Sequence, residues 1–137
     1  MAVVREYSGM SNPTARDRLE QALSRIADPN GEGGRACLAV YAQAARAAAD
    51  AADIRTRAGI SLGPLDGAIV SIKDLFDVAG EVTRAGSRVV AEEATPATAD
   101  APAVRRLRAA GAVIVAKTNM TEFAFSGVGG SPGRNRR

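Results

Sequence analysis

The sequence predicts an α/β fold: N-terminal helices followed by a parallel strand pair of βαβ type. Two observations carry this. Residues 68–72 and 112–116 are short, β-branched runs bounded by turn residues, and a helix-length segment lies between them. In the first sixty residues the apolar positions recur instead at steps of three and four, the spacing of one helix face.

Taken in order, Ser11, Asn12 and Pro13 form a helix start, a capping side chain followed by proline in the first turn. Leu19, Leu23 and Ile26 then make one apolar stripe, and Asp28-Pro29-Asn30-Gly31 breaks it. A second helix is expected over 34–57, with Leu38, Tyr41, Ala45, Ala48 and Ala52 on one face and Gly59 as its stop. Gly63 to Gly67 is a turn. Residues 68–72 are the first buried strand, and 76–99, without a clean period, read as a long wrapped loop. Asp100-Ala101-Pro102 opens a third helix, with Asp100 as cap and Val104 and Leu107 facing inward. Gly111 ends it, and 112–116 form the second buried strand, parallel to the first through a right-handed crossover. Residues 121–125 read as a short helix and 127–137 as a loose end. The organisation expected is a helical region over 1–62, an α/β segment over 63–129 and a disordered basic tail over 130–137.

Composition excludes several chemistries. With 137 residues, one domain with a real core is expected. There is no histidine, which removes Ser-His-Asp and Cys-His catalysis and His-ligated metals. One cysteine, Cys37, removes disulfides within the chain and cysteine-cluster metal sites. No metal and no cofactor is expected. The net charge of +3 comes from Arg134, Arg136 and Arg137; without them basic and acidic residues number 15 each. A basic end on a neutral body is a poor nucleic-acid footprint, so no specific nucleic-acid partner is expected. No apolar run approaches the roughly 18 residues that cross a bilayer, and Arg5 and Glu6 do not suit a secretory signal. A cytoplasmic setting without membrane contact is the expectation.

Any nucleophilic chemistry must therefore draw its base from lysine, carboxylate or tyrosine. Lys73, one of two lysines, ends the apolar strand Ile69-Val70-Ser71-Ile72-Lys73-Asp74. Strand ends are where sites gather in open α/β sheets. A desolvated amine there has a lowered pKa and, when neutral, accepts a proton from a serine hydroxyl. The alternative is a lysine whose ammonium reaches solvent beside Asp74 or Asp77. Lys117 holds the corresponding place on the second strand, where it equally suits a strand leaving the core. Gly127 to Gly133 lacks the Gly-Lys-Ser/Thr ending of a phosphate loop. Glu92 and Glu93 read as a solvated turn.

Three ordered segments resemble the amidase signature family. Gly63-Pro64-Leu65-Asp66-Gly67-Ala68-Ile69-Val70-Ser71-Ile72-Lys73-Asp74 is similar to its PLxGxPxxxKD stretch. Asp77-Val78-Ala79-Gly80 through Thr83-Arg84-Ala85-Gly86-Ser87 is similar to the loop that follows. Residues 100–124, ending Lys117-Thr118-Asn119-Met120-Thr121-Glu122-Phe123-Ala124, match DAxVVxRLRxAGAVxxGKTNMxEFA. The resemblance implies an α/β fold around a mixed sheet and hydrolysis of small carboxamides by a Ser–cis-Ser–Lys triad. It implies that Lys73 is the triad lysine, that Ala124, Phe125 and Ser126 lie near the acyl pocket, and that Lys117 and Asn119 are structural.

The resemblance also has an edge. Family members are much longer, and their two serines lie in a later Gly-Gly-Ser-Ser segment. Here Gly129-Gly130-Ser131 is followed by Pro132, so no nucleophile is assigned to Ser131. The chain reads as a truncated, N-terminal piece of an amidase, inactive by itself. A noncatalytic interaction module or remnant, or part of an aminoacyl-tRNA amidotransferase A-type subunit, are the rival readings. Strands cut from a larger sheet have exposed edges, so self-association through them is expected.

Overall fold

A computed structural model describes residues 12–125. Helix α1 spans Ala15–Ala27. Its cap is Thr14 rather than Ser11 or Asn12. The Thr14 hydroxyl accepts from the Asp17 N–H, and the Asp17 carboxylate accepts from the Thr14 N–H, a reciprocal pair that satisfies two otherwise free donors. Leu19 is fully buried beneath it.

The single helix expected over 34–57 is three elements. A one-turn helix α2 (Gly33–Ala36) leads into strand β1 (Cys37–Val40), and helix α3 (Ala42–Arg57) follows. The alanine periodicity of α3 extends back across Leu38 on paper. The tetrapeptide Cys37-Leu38-Ala39-Val40 nevertheless has a strand to pair with, and tertiary pairing overrides a weak local preference. Strand β2 (Ile69–Lys73) and strand β3 (Val113–Thr118) match the two expected runs, with β3 reaching two residues further. The loop over 76–99 contains a short helix α4 (Arg88–Glu93), with Glu92 and Glu93 exposed on its last turn. Helix α5 (Pro102–Ala109) starts at proline as expected, but Asp100 does not cap it. Its carboxylate accepts from the Ala79 N–H at 2.9 Å and from Arg108 Nε at 2.8 Å, tying the loop to α5. Both partners hold the Asp100 carboxyl below the usual carboxylate range. The turn over Glu122–Ala124 is a 3-10 turn with Phe123 at φ 48°.

The sheet is mixed, in the order β1-β3-β2. β2 runs parallel to β3 and β1 antiparallel to it. β3, last in sequence, is therefore central, and residues Val113 to Lys117 are all buried. Helices α1 and α3 cover one face: Leu19, Ala45, Ala49 and Ala52 pack with Val113, Val115 and Ala116. The small side chains let the two helices and the strand approach closely. On the other face Val104 of α5 packs with Ile72, Val78 and Ile114. The register of β2 against β3 slips by one residue: Val70 pairs with Ile114 but Ser71 pairs with Ala116. This bulge resets the alternation of side chains. Val115 and Ala116 consequently join the same cluster, and Lys117 turns to the α5 face with Ile114.

Asp53, in the middle of α3, is buried and serves the neighbouring helix. Its carboxylate accepts from the Ala15 N–H at 2.7 Å and the Arg16 N–H at 3.0 Å, the first free donors of α1. Removing an acceptor of this kind leaves buried donors unpaired at a cost of about 1–3 kcal/mol. Asp53→Ala is expected to destabilise the chain by that amount and Asp53→Asn by less, read from urea unfolding by circular dichroism. Equal midpoints for Asp53→Ala and wild type would refute the capping role.

Candidate functional site

β2 delivers Lys73 to the edge of the molecule. Its Cα partner on β3 is Thr118, and the chain turns at once, with the Lys73 carbonyl accepting from the Leu75 N–H at 2.7 Å and the Phe76 N–H at 3.1 Å. The Lys73 side chain is exposed and has no ion pair among the described residues, with Asp74, Asp77 or any other carboxylate. The desolvation expected of it is met by the other lysine.

Lys117 is 2% exposed, and Asp74 is completely buried. Lys117 does not mark a strand leaving the core. Its Nζ lies 3.2 Å from Asp74 Oδ1 and 3.9 Å from Glu81 Oε2. Glu81 Oε2 in turn accepts from the Tyr41 hydroxyl at 2.8 Å. Burial and the anionic acceptor push the Tyr41 hydroxyl well above its ordinary pKa, so it remains a donor. The ordered chain is tyrosine, carboxylate, ammonium, carboxylate. Two carboxylates near one ammonium offset part of the cost of burying it. Asp74 Oδ2, Lys117 Nζ and Thr83 Oγ1 are buried without a hydrogen-bond partner among the described residues. An adjacent cavity of about 370 Å³ is lined by Tyr41, Ala44, Ala48, Glu81 and Arg108, and Lys73 does not reach it.

The turn expected to lie near the substrate is brought to the same end of the sheet. The Asp74 carbonyl accepts from the Ala85 N–H at 2.9 Å, and the Ala85 carbonyl accepts from the Phe123 N–H at 2.8 Å. Two hydrogen bonds thus separate the residue after Lys73 from the Phe123–Ala124 turn. Phe123 and Ala124 both have positive φ, 48° and 58°, and Phe125 is 94% exposed. Ser126, Ser131 and the basic tail lie outside the described residues. Sequence reasoning missed the buried pair of Asp74 and Lys117. The signal was available: Lys117 follows five apolar residues and precedes β-branched Thr118, so the strand does not end at it.

An amidase family profile matches residues 17–136. The chain is 49% identical over 112 residues to the glutamyl-tRNA(Gln) amidotransferase A-type subunit of Anaeromyxobacter dehalogenans (strain 2CP-C), covering 82% of this chain and 22% of that protein. It is 44% identical over 113 residues to the AtzE subunit of 1-carboxybiuret hydrolase from Pseudomonas sp. (strain ADP), covering 82% and 24%. Among solved structures, it is similar to a chain of an inhibitor-bound vestigial protein complex related to an s-triazine catabolic enzyme. That likeness has a TM-score of 0.71 at 44% identity and covers 82% of this chain and 24% of the other. The chain belongs to the amidase signature family. It spans about a quarter or less of the length of the relatives it matches.

Gly86 fixes the approach of the 83–87 loop to the turn. It has φ +72°, and a Cβ there would lie 2.8 Å from the Met120 carbonyl oxygen and 2.9 Å from the Glu122 nitrogen. Gly80 has a similar φ, +82°, with open space around it. Gly80→Ala therefore incurs only the left-handed backbone, about 1–3 kcal/mol. Gly86→Ala is expected to lose measurably more, because backbone must shift. Equal urea midpoints for the two variants would contradict the contact.

Proposed function

We propose that this chain carries the lysine of an amide-hydrolysing serine–serine–lysine site, with Lys73 as proton carrier and small carboxamides as substrates. The observation that carries the reading is the placement of Lys73 at the end of a strand parallel to β3, in a chain of the amidase signature family. In the proposed reaction the Lys73 amine accepts a proton relayed through a bridging serine from the nucleophilic serine. The serine oxygen adds to the amide carbon, the amine departs with a proton, and water releases the carboxylate from the acyl-serine. Ala124, Phe125 and Ser126 are the proposed substrate-side residues. Neither serine of the triad is assigned to this chain. Lys73 is exposed, so no described residue supplies the desolvation expected of it from the sequence. A cytoplasmic setting belongs to the same proposal; no described helix is long and apolar enough to cross a membrane.

A second reading, part of an amidotransferase A-type subunit, is favoured by the 49% identity to one such protein. It uses the same lysine and differs in whether ammonia is released or handed on. Grafting residues 17–125 into a matched hydrolase in place of the corresponding segment separates the chemistry from the missing parts. The graft is expected to hydrolyse simple amides and to form hydroxamate with hydroxylamine. Lys73→Ala in the graft is expected to lower kcat by roughly three orders of magnitude or more. An unchanged kcat in that variant would remove Lys73 from the mechanism.

The partner proposed for the chain by itself is a second copy. β2 is an edge strand, and Leu75, Phe76 and Phe123 are exposed near its end. Sedimentation velocity is expected to show mass rising with concentration across the micromolar range. A concentration-independent monomer would rule this out.

A further inference from the structure

The chain leaving Lys73 is held by charges that proton transfer does not use. Asp74 contacts two other segments, β3 and the 83–87 loop: its N–H donates to the Thr118 carbonyl at 2.9 Å, its carbonyl accepts from Ala85, and its carboxylate faces Lys117 at 3.2 Å and the Arg84 N–H at 3.4 Å. On the other side of the same ammonium stands Glu81, from the loop that leads to Arg84 and Ala85. One buried amine on the central strand therefore engages the start of the 74–85 segment and a point near its end. Buried ion pairs add little net stability, since well-packed apolar side chains of similar volume do as well or better. What they impose is geometry: a buried ammonium within 4 Å of two carboxylates restricts the arrangements of the segments that carry them.

We propose that Asp74, clamped by buried Lys117, is the positioning residue that locks the end of β2 to the Phe123–Ala124 turn through Ala85, so that the strand end bearing Lys73 and the turn move as one body. The proposal rests on the preceding reading only in taking Lys73 and that turn as working parts; the clamp belongs to the packing of this chain and is measured without turnover. Lys117 reaches its partners because the bulge at Val115–Ala116 turns it to the α5 face. The link then runs from the Lys117 amine to the Asp74 carboxylate, from the Asp74 carbonyl to the Ala85 N–H, and from the Ala85 carbonyl to the Phe123 N–H.

Amide hydrogen exchange on the full chain tests it with Lys117→Met, Asp74→Asn, the double variant Lys117→Met/Asp74→Leu and Lys117→Arg. In Lys117→Met and Asp74→Asn the Arg84, Ala85 and Phe123 amides are expected to lose about tenfold or more protection beyond the loss in the β2–β3 ladder and α3, which follows the lowered thermal midpoint. The double variant is expected to recover the thermal midpoint without recovering those three amides, and Lys117→Arg to recover part of their protection. Wild-type exchange at the three amides in Lys117→Met overturns the proposal. So does even loss of protection across the whole chain in both single variants, or full recovery of the three amides in the apolar double variant; either makes the pair a general stabiliser. A graft that fails to need Lys73 leaves these exchange rates unaffected, so the two readings fail separately.

Discussion

The buried ammonium of Lys117 organises this end of the molecule. A lysine on the central strand of a three-stranded sheet has no route to water, so its charge must be met inside. It is met by Asp74, the residue just past the neighbouring strand, and Glu81 from the long loop. Because both carboxylates must come to it, the loop over 76–87 cannot drift from the sheet, and the turn after β3 inherits its place from that loop. The apolar core on the same face is Ile72, Val78, Val104 and Ile114.

The opposite face depends on a different constraint, close approach. Alanines on α3 and a fully buried Leu19 on α1 bring the helices against β3, and the Asp53 carboxylate closes the gap between them by capping α1. Small side chains contribute little burial each. The polar link from Asp53 therefore adds to a face whose apolar side chains are mostly small. Asp66 belongs to the same pattern: it accepts from Arg55 of α3 and from the Leu62 N–H, fastening the turn before β2 to the helix, and Arg55 holds its carboxyl below the usual range.

Much of this was legible in the residues. β2 and β3 are short β-branched runs between turn residues, and α5 starts where Pro102 sets its first turn. The placement of Lys73 at a strand end followed directly. β1 was hidden because a four-residue strand adjoins a long alanine-rich helix whose period runs through it. The one-residue slip opposite Ser71 has no local signature, and without it Lys117 would face the alanine-packed side. Lys117 itself read as a strand ending because a charge in a strand usually marks one. Thr14, Asp53 and Asp100 show why helix caps were misplaced: the acceptor that satisfies a helix end is chosen by whatever packs beside it.

The strand order has a consequence during synthesis. Residues 37–40 and 69–73 leave the ribosome well before 113–118, yet among the described residues it is the last segment that joins them. Until it emerges, the nascent polypeptide has two unjoined borders and no middle. The described sheet cannot close before that segment is made, so a stalled or shortened message ending ahead of it would yield a product with both margins unpaired.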